Sequence, residues 1–239
     1  ALIPARSGSV RIPNKNIREL AGHPLLAYSI ASAKESGIFD RIIVSSDSEK
    51  YLELALRYGA DGHFEKIEGD RYDYKWMDQV LNKNWDNHFK RPEYFAILRP
   101  TSPFRSARTI QRCFHNWDRA KYDSIRAVEP TSQHPGKCWV VRGKTMYPLL
   151  PAGPIDPPWH SSPTQSLPEV YIQNASLEFA SLEAFNRTKT ISGWNIQAFI
   201  TENYEGFDIN EERDWWEAEY LIEKGLAKLP GIGSARRTK

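Results

Sequence analysis

The sequence predicts an α/β fold, a sheet with helices packed against it. Short β-branched runs alternate with segments of helical period along the chain, and Gly, Pro, Ser and Asp fall at the changeovers. A third observation is the balance of 40% hydrophobic and 26% charged residues over 239 positions, which is enough to bury one sizeable core.

The elements follow in order. Leu2 to Ala5 reads as the first strand. Pro24 to Ser36 reads as a helix with Leu26, Ile30 and Ala33 on one face and Gly37 as its stop. Arg41 to Ser45 is a β-branched strand, after which Ser48 caps a helix carrying Leu52, Ala55 and Leu56, closed by Gly59. Tyr94 to Leu98 is the next strand, and Ser106 opens a helix with Ile110, Cys113, Phe114 and Trp117 inward. Further strands are expected at Ser124 to Val128, Cys138 to Val141, Tyr171 to Ala180 and Gln197 to Ile200. A last helix follows Asn210, with Glu211 and Glu212 in its first turn where the dipole favours anions.

Seven prolines between Pro148 and Pro168 exclude a regular central strand or helix there. Strand signals resume on both sides, so the chain is expected to form a single domain over 1–239, with an arm or lid at about 130–170 and a frayed tail at 230–239. Ala1 is not an initiator methionine, and Leu2 to Pro4 already reads as a strand end, so residues are expected ahead of it.

A formal net charge of +2 argues for neither nucleic-acid nor membrane binding, and the apolar runs are too short for a membrane span. The two cysteines, Cys113 and Cys138, are too few for a disulfide framework and lack zinc spacing, so a cytoplasmic setting is expected.

Charge is nevertheless concentrated at one place. Residues 1–18 hold Arg6, Arg11, Lys15 and Arg18 and no acid, and Ala5-Arg6-Ser7-Gly8-Ser9 directly follows the first strand. Such a loop can turn backbone N–H groups and hydroxyls toward one point while Arg and Lys supply charge for a polyphosphate. It sits where α/β folds bind nucleotides, yet it matches neither a Walker A loop nor Gly-x-Gly-x-x-Gly. Read alone, it is equally a solvated basic loop or an RNA-contacting patch.

The run Ile3-Pro4-Ala5-Arg6-Ser7-Gly8-Ser9-Val10-Arg11-Ile12-Pro13-Asn14-Lys15-Asn16 resembles the opening of the acylneuraminate cytidylyltransferases, the CMP-sialic acid synthetases. The resemblance continues in family order through Ala21 to Leu26, Ile43 to Asp47, Leu98 to Arg105, His134 to Lys137, Gln173-Asn174 and Phe207 to Asn210. It implies a Rossmann-like three-layer sandwich with a mostly parallel sheet and an extended dimerisation arm, and a homodimer that couples CTP to a nonulosonic acid with Mg2+. By the same resemblance Arg6 and Lys15 hold the phosphates. Ala5, Ser7, Gly8, Ser9 and Asn16 face the nucleotide, and Arg11 adds a contact. Val10 stands where the family commonly has Lys or Gly.

Nucleotidyl transfer needs a divalent ion, and Mg2+ takes carboxylate, phosphate and water oxygens. Asp208 suits that task, and Asn210, in place of the second acid of the family's Asp-x-Asp pair, is expected to offer the ion a carbonyl oxygen, directly or through water, but cannot act as a base. Locally, both residues are also good helix caps. Asp214, inside the helix, reads as structural. For an acidic sugar the resemblance points to Arg99, Thr101, Ser102, Lys137, Gln165 and Asn174. Thr164 and Ile172 stand where relatives carry Arg, and Glu65 falls where an Arg approaches the nucleotide. These departures leave open GTP, a KDO-like acid or a nucleotide-binding homologue without catalysis. His134, before a proline, reads as a structural hydrogen-bonder rather than a base.

Overall fold

Strand alternation sets the layers of the fold. The computed structural model describes residues 1–64, 77–78, 80–81, 91–150 and 157–233. Glu65, residues 151–156 of the proline-rich stretch and the tail 234–239 lie outside the described residues. The described chain divides into two compact units, Ala1–Ala127 with Asn174–Lys239, and Val128–Gln173.

In the first unit, β1 (Leu2–Pro4) pairs in parallel with β4 (Ile43–Ser46) and β6 (Tyr94–Ile97), and β4 pairs in parallel with β5 (Asp61–Phe64). On the far side of β6, β10 (Tyr171–Ser181) runs antiparallel. With β7 (Ser124–Pro130) and β11 (Ile196–Ile200) the sheet order is β11-β7-β10-β6-β1-β4-β5. A small hairpin of β2 (Glu19–Leu20) and β3 (His23–Pro24) precedes α1 (Leu25–Ser36).

Successive residues of each strand face opposite sides, so one strand feeds two cores. Ile3, Val44, Ala96, Leu98 and Phe179 pack against α1, α2 (Glu49–Arg57) and α3 (Ala107–Asn116) through Leu26, Ile30, Leu52, Ala55, Ile110 and Cys113. Leu2, Ile43, Phe95, Ile97 and Ala180 face the other way, onto Met77, Val80, Leu81 and the Leu182 and Phe185 side chains of α4 (Leu182–Thr188). The expected sandwich with a mostly parallel sheet is therefore present. Helix ends follow local chemistry: Ser106 and Thr109 form a reciprocal capping box, and Gly37 closes α1 at φ 64. Ser48 is the N-cap of α2, but its side chain makes no capping bond.

A third core lies under the first loop. Trp215, Ala218 and Leu221 of α5 (Glu212–Glu223) pack with Ile12, Leu20, Leu25, Tyr28, Phe104 and Ile209. Arg18 grips both Glu212 oxygens at 2.7 and 2.8 Å, and its guanidinium lies 4.2 Å from the ring centre of the fully buried Trp215. The C-terminal helix is thus fastened to the N-terminal loop.

The second unit contains an antiparallel hairpin, β8 (Trp139–Arg142) and β9 (Thr145–Pro148), turned by Gly143 at φ 63. His134 is buried there: Nδ1 accepts from Gly136 N–H at 3.0 Å, so Nε2 carries the proton and donates to Pro168 O at 3.1 Å. With both ring nitrogens engaged, His134 is a structural hydrogen-bonder.

Candidate active site

Because β1 and β6 are parallel neighbours, the loops that leave their C-terminal ends share one edge of the sheet. Together with Asn210 they line a cavity of about 290 Å³. Among the described residues its lining includes Arg6, Arg11, Lys15 and Arg99 and no carboxylate. A larger cavity of about 530 Å³ lies between α1, the end of α2 and Gly231–Gly233. There Glu35 stands with Lys34 and Arg57, so positive charge is less concentrated than in the loop cavity.

The first loop is pinned from below. Ala5 N–H donates to Ser45 O at 2.8 Å, and the buried Asn16 amide donates to Arg6 O at 3.0 Å. Ser7 N–H is taken by Asp47 Oδ1 at 2.8 Å and Ser9 N–H by Ser7 O at 2.9 Å. Two of the N–H groups expected to converge on a phosphate are therefore used inside the protein, and the cavity's donors are mainly side chains. A Cβ at Gly8 would stand 3.7 Å from Arg6 Nε and Nη2, which places the glycine beside the guanidinium. Arg6 Nε is buried without a hydrogen-bond partner among the described residues.

Lys15 Nζ donates to Ile209 O at 2.7 Å. Burial pulls its ammonium below the ordinary lysine range, Asp208 opposes that fall, Arg11 adds to it and Asp214 opposes it again. A polyphosphate beside Lys15 would oppose that fall further. Arg11 Nη2 donates to Asn210 Oδ1 at 3.2 Å.

Arg99, expected to receive a substrate carboxylate, lines this cavity and already has an acidic neighbour inside the protein. Its Nη1 donates to the buried Glu178 at 2.8 Å, and Arg126 pairs with the same carboxylate. A nearby acid inside the protein thus already takes part of its charge. Arg105, which sequence reasoning passed over, is buried and donates to Arg99 O, Ser176 O and Ser29 Oγ. Burial, then repulsion from Arg99, lowers its guanidinium to about 9. A buried cation tying three segments by hydrogen bonds leaves no periodic signal in the sequence.

Thr101 O accepts Ile209 N–H at 2.8 Å, which ties the loop after β6 to the Asp208 turn. Ser102 is buried, and its Oγ has no hydrogen-bond partner among the described residues. Asn174 donates to Thr201 Oγ1 at 2.9 Å and accepts from Ser176 N–H at 3.2 Å, so its amide organises the strand edge. Lys137 is half-buried and Gln165 exposed, both in short 3-10 turns of the second unit.

Neither Asp208 nor Asn210 caps α5, contrary to the local reading. Glu211 is the N-cap, and Asp214 Oδ2 accepts from the backbone N–H groups of Asn210 and Glu211 at 2.7 and 2.8 Å. Asp214 is thus structural, as expected, and the Asp208 carboxylate is not used as a cap. One of its oxygens accepts from Asn210 Nδ2 at 2.6 Å, and the other, Oδ1, is buried without a hydrogen-bond partner among the described residues.

The cytidylyltransferase family model matches residues 1–134. The chain belongs to the cytidylyltransferases, among the CMP-sialic acid synthetases. It is 30% identical over 232 residues to the CMP-N,N'-diacetyllegionaminic acid synthase of Legionella pneumophila, covering 93% of this chain and 95% of that one. It is 31% identical over 219 residues to the N-acylneuraminate cytidylyltransferase of Escherichia coli O18:K1:H7, covering 90% of this chain but only 50% of that longer protein. The fold is similar, at a TM-score of 0.67 and 13% identity, to a CMP:2-keto-3-deoxy-manno-octonic acid synthetase complexed with CTP, covering 94% and 98% of the two chains.

Of the residues beside the cavity, Asp208 could hold the divalent ion expected for nucleotidyl transfer. A buried carboxylate oxygen without a partner is the type of ligand that Mg2+ takes singly, with phosphate and water oxygens completing its shell. Among the described residues no group of three or more His, Cys, Asp or Glu side chains gathers to hold an ion.

The pin beneath the loop can be tested directly. Asn16→Ala leaves Arg6 O without its donor, so stability to urea should fall by about 1–3 kcal/mol. An unchanged unfolding midpoint would show that the loop holds without Asn16.

Proposed function

We propose that the chain transfers the cytidylyl group of CTP to a sialic-acid-like 2-keto sugar acid (a nonulosonic acid) and releases pyrophosphate. The observation that carries this reading is the cavity with four cationic side chains and no carboxylate among the described residues of its lining, formed by the loops after β1 and β6 beside Asp208. It suits a polyphosphate. Related enzymes bear names with different sugar acids and a common cytidylyl donor, which favours CTP and leaves the particular nonulosonic acid open.

In the proposed reaction the anomeric hydroxyl oxygen of the sugar attacks the α-phosphorus. The bond from that phosphorus to the bridging oxygen breaks, the electron pair leaves with pyrophosphate, and the hydroxyl proton passes to water. Arg6 and Lys15 hold the phosphates and offset charge that grows on the leaving group, with Arg11 as a further contact. Asp208 would hold Mg2+, which when bound neutralises the triphosphate and polarises the α-phosphate. Asn210 cannot serve as a base. Lys137 and Gln165 of the second unit are proposed to contact the sugar acid, and the cytoplasm is the proposed compartment, consistent with unpaired Cys113 and Cys138. Among the described residues no helix is long and apolar enough to cross a membrane.

The assay is pyrophosphate release from CTP, Mg2+ and a panel of 2-keto sugar acids. Arg6→Ala and Lys15→Ala should each lower turnover by ~10²-fold or more while the fold persists. Asp208→Asn should remove activity that added Mg2+ does not restore. Full turnover in the two loop variants would reject the phosphate site, and no release with any acid would reject the reaction.

The second unit is proposed to bind a second copy of the chain. Val141, Met146, Tyr147, Leu149 and Ile172 are exposed by 68%, 50%, 51%, 49% and 53%, so the hairpin and its flanks present apolar surface of the kind that partners cover. Sedimentation at micromolar concentration should show a homodimer, and Val141→Glu with Tyr147→Glu should shift it toward monomer. A wild-type monomer would contradict this assembly.

A further inference from the structure

We infer that Asn210 is a positioning residue that couples Arg11 to Asp208, rather than a ligand of the divalent ion. This rests on the proposed nucleotide site and assigns a role inside it. The amide stands between a cation and an anion: Oδ1 accepts from Arg11 Nη2 at 3.2 Å, and Nδ2 donates to Asp208 Oδ2 at 2.6 Å. Those neighbours fix its orientation. Turned over, the amide would set its NH₂ against a guanidinium and its oxygen against a carboxylate.

The consequence is specific to an amide. The carbonyl oxygen is the atom of Asn210 able to ligate a hard cation, and it is engaged with Arg11. An aspartate here would satisfy Arg11 but place a second carboxylate against Asp208 at hydrogen-bond distance. Alanine would release both neighbours. By occupying Oδ2, the amide leaves Oδ1 as the Asp208 oxygen without a partner. At its other end it braces Arg11, whose side chain is 61% exposed and faces Glu211 Oε1 only at 3.9 Å. Arg11 and Asn210 both line the cationic cavity, so a braced guanidinium is presented to phosphate with less side-chain freedom to lose.

A metal ligand and a brace for Arg11 differ when no metal is present. Calorimetry of CTP binding in EDTA should show Asn210→Ala about tenfold weaker than wild type, the scale of one hydrogen bond to a charged group. The melting temperature of the free protein should be nearly unchanged. Asn210→Ser keeps a group that both donates and accepts, and should retain most of the affinity. In an Arg11→Gln background, adding Asn210→Ala should cost less than about twofold, because the two residues act as a unit. The inference is overturned if Asn210→Ala leaves metal-free CTP binding unchanged while weakening binding of Mn2+ alone. It is also overturned if the Arg11 and Asn210 losses simply add, or if wild type binds CTP only with Mn2+. Failure of wild type to bind CTP under any condition would instead remove the nucleotide reading, and this inference with it.

Discussion

The gathering of Arg6, Arg11, Lys15 and Arg99 around one cavity is the constraint on which the rest of this end of the molecule depends. Among the described residues the lining holds no acid, while Glu178 pairs with Arg99 and Asp208 favours the charge on Lys15 from beside it. Each of three is steadied by a hydrogen-bond acceptor. Lys15 leans on a backbone carbonyl, Arg11 on an amide, and Arg99 on a carboxylate it shares with Arg126. Arg6 is held through its backbone by Asn16. A strong acid paired with each cation would have given a firmer protein and a poorer polyphosphate site.

The fold supplies those neighbours from distant parts of the sequence. Parallel pairing of β1 with β6 brings the first loop beside Arg99 and Thr101. The Trp215 core and the Arg18–Glu212 pair then carry the start of α5 to the same place, where Ile209 accepts from Lys15 and donates to Thr101. Asp208 and Asn210 flank that doubly bonded residue. The chain's first loop and its last helix therefore form one device, and the metal-binding carboxylate proposed here inherits its position from hydrophobic packing beneath it.

Much of this was legible in the sequence. The strands at Leu2, Ile43, Tyr94 and Tyr171 and the helices after Pro24, Ser48 and Ser106 follow from period and punctuation, and the structure places them within a residue or two. The hairpin at Glu19–Pro24, strand Asp61–Phe64 and helix Leu182–Thr188 were missed because each is too short to establish a period. The basic loop was found from charge alone, although two of its backbone donors are used by Asp47 and Ser7 rather than left to converge. The pairing of Arg99 with Glu178 and the burial of Arg105 depend on which strands become neighbours, information that local sequence does not hold. Local propensity also favoured Asp208 and Asn210 as caps, whereas Glu211 and Asp214 take that task through a reciprocal box.

The central claim, that the loop after β1 is the nucleotide site, is tested most directly by a crystal structure of the chain with CTP and Mg2+. The triphosphate is expected within hydrogen-bond reach of Arg6 and Lys15, with the ion on Asp208 Oδ1. Nucleotide bound instead in the cavity beside Lys34 and Arg57, with the loop cavity empty, would contradict it.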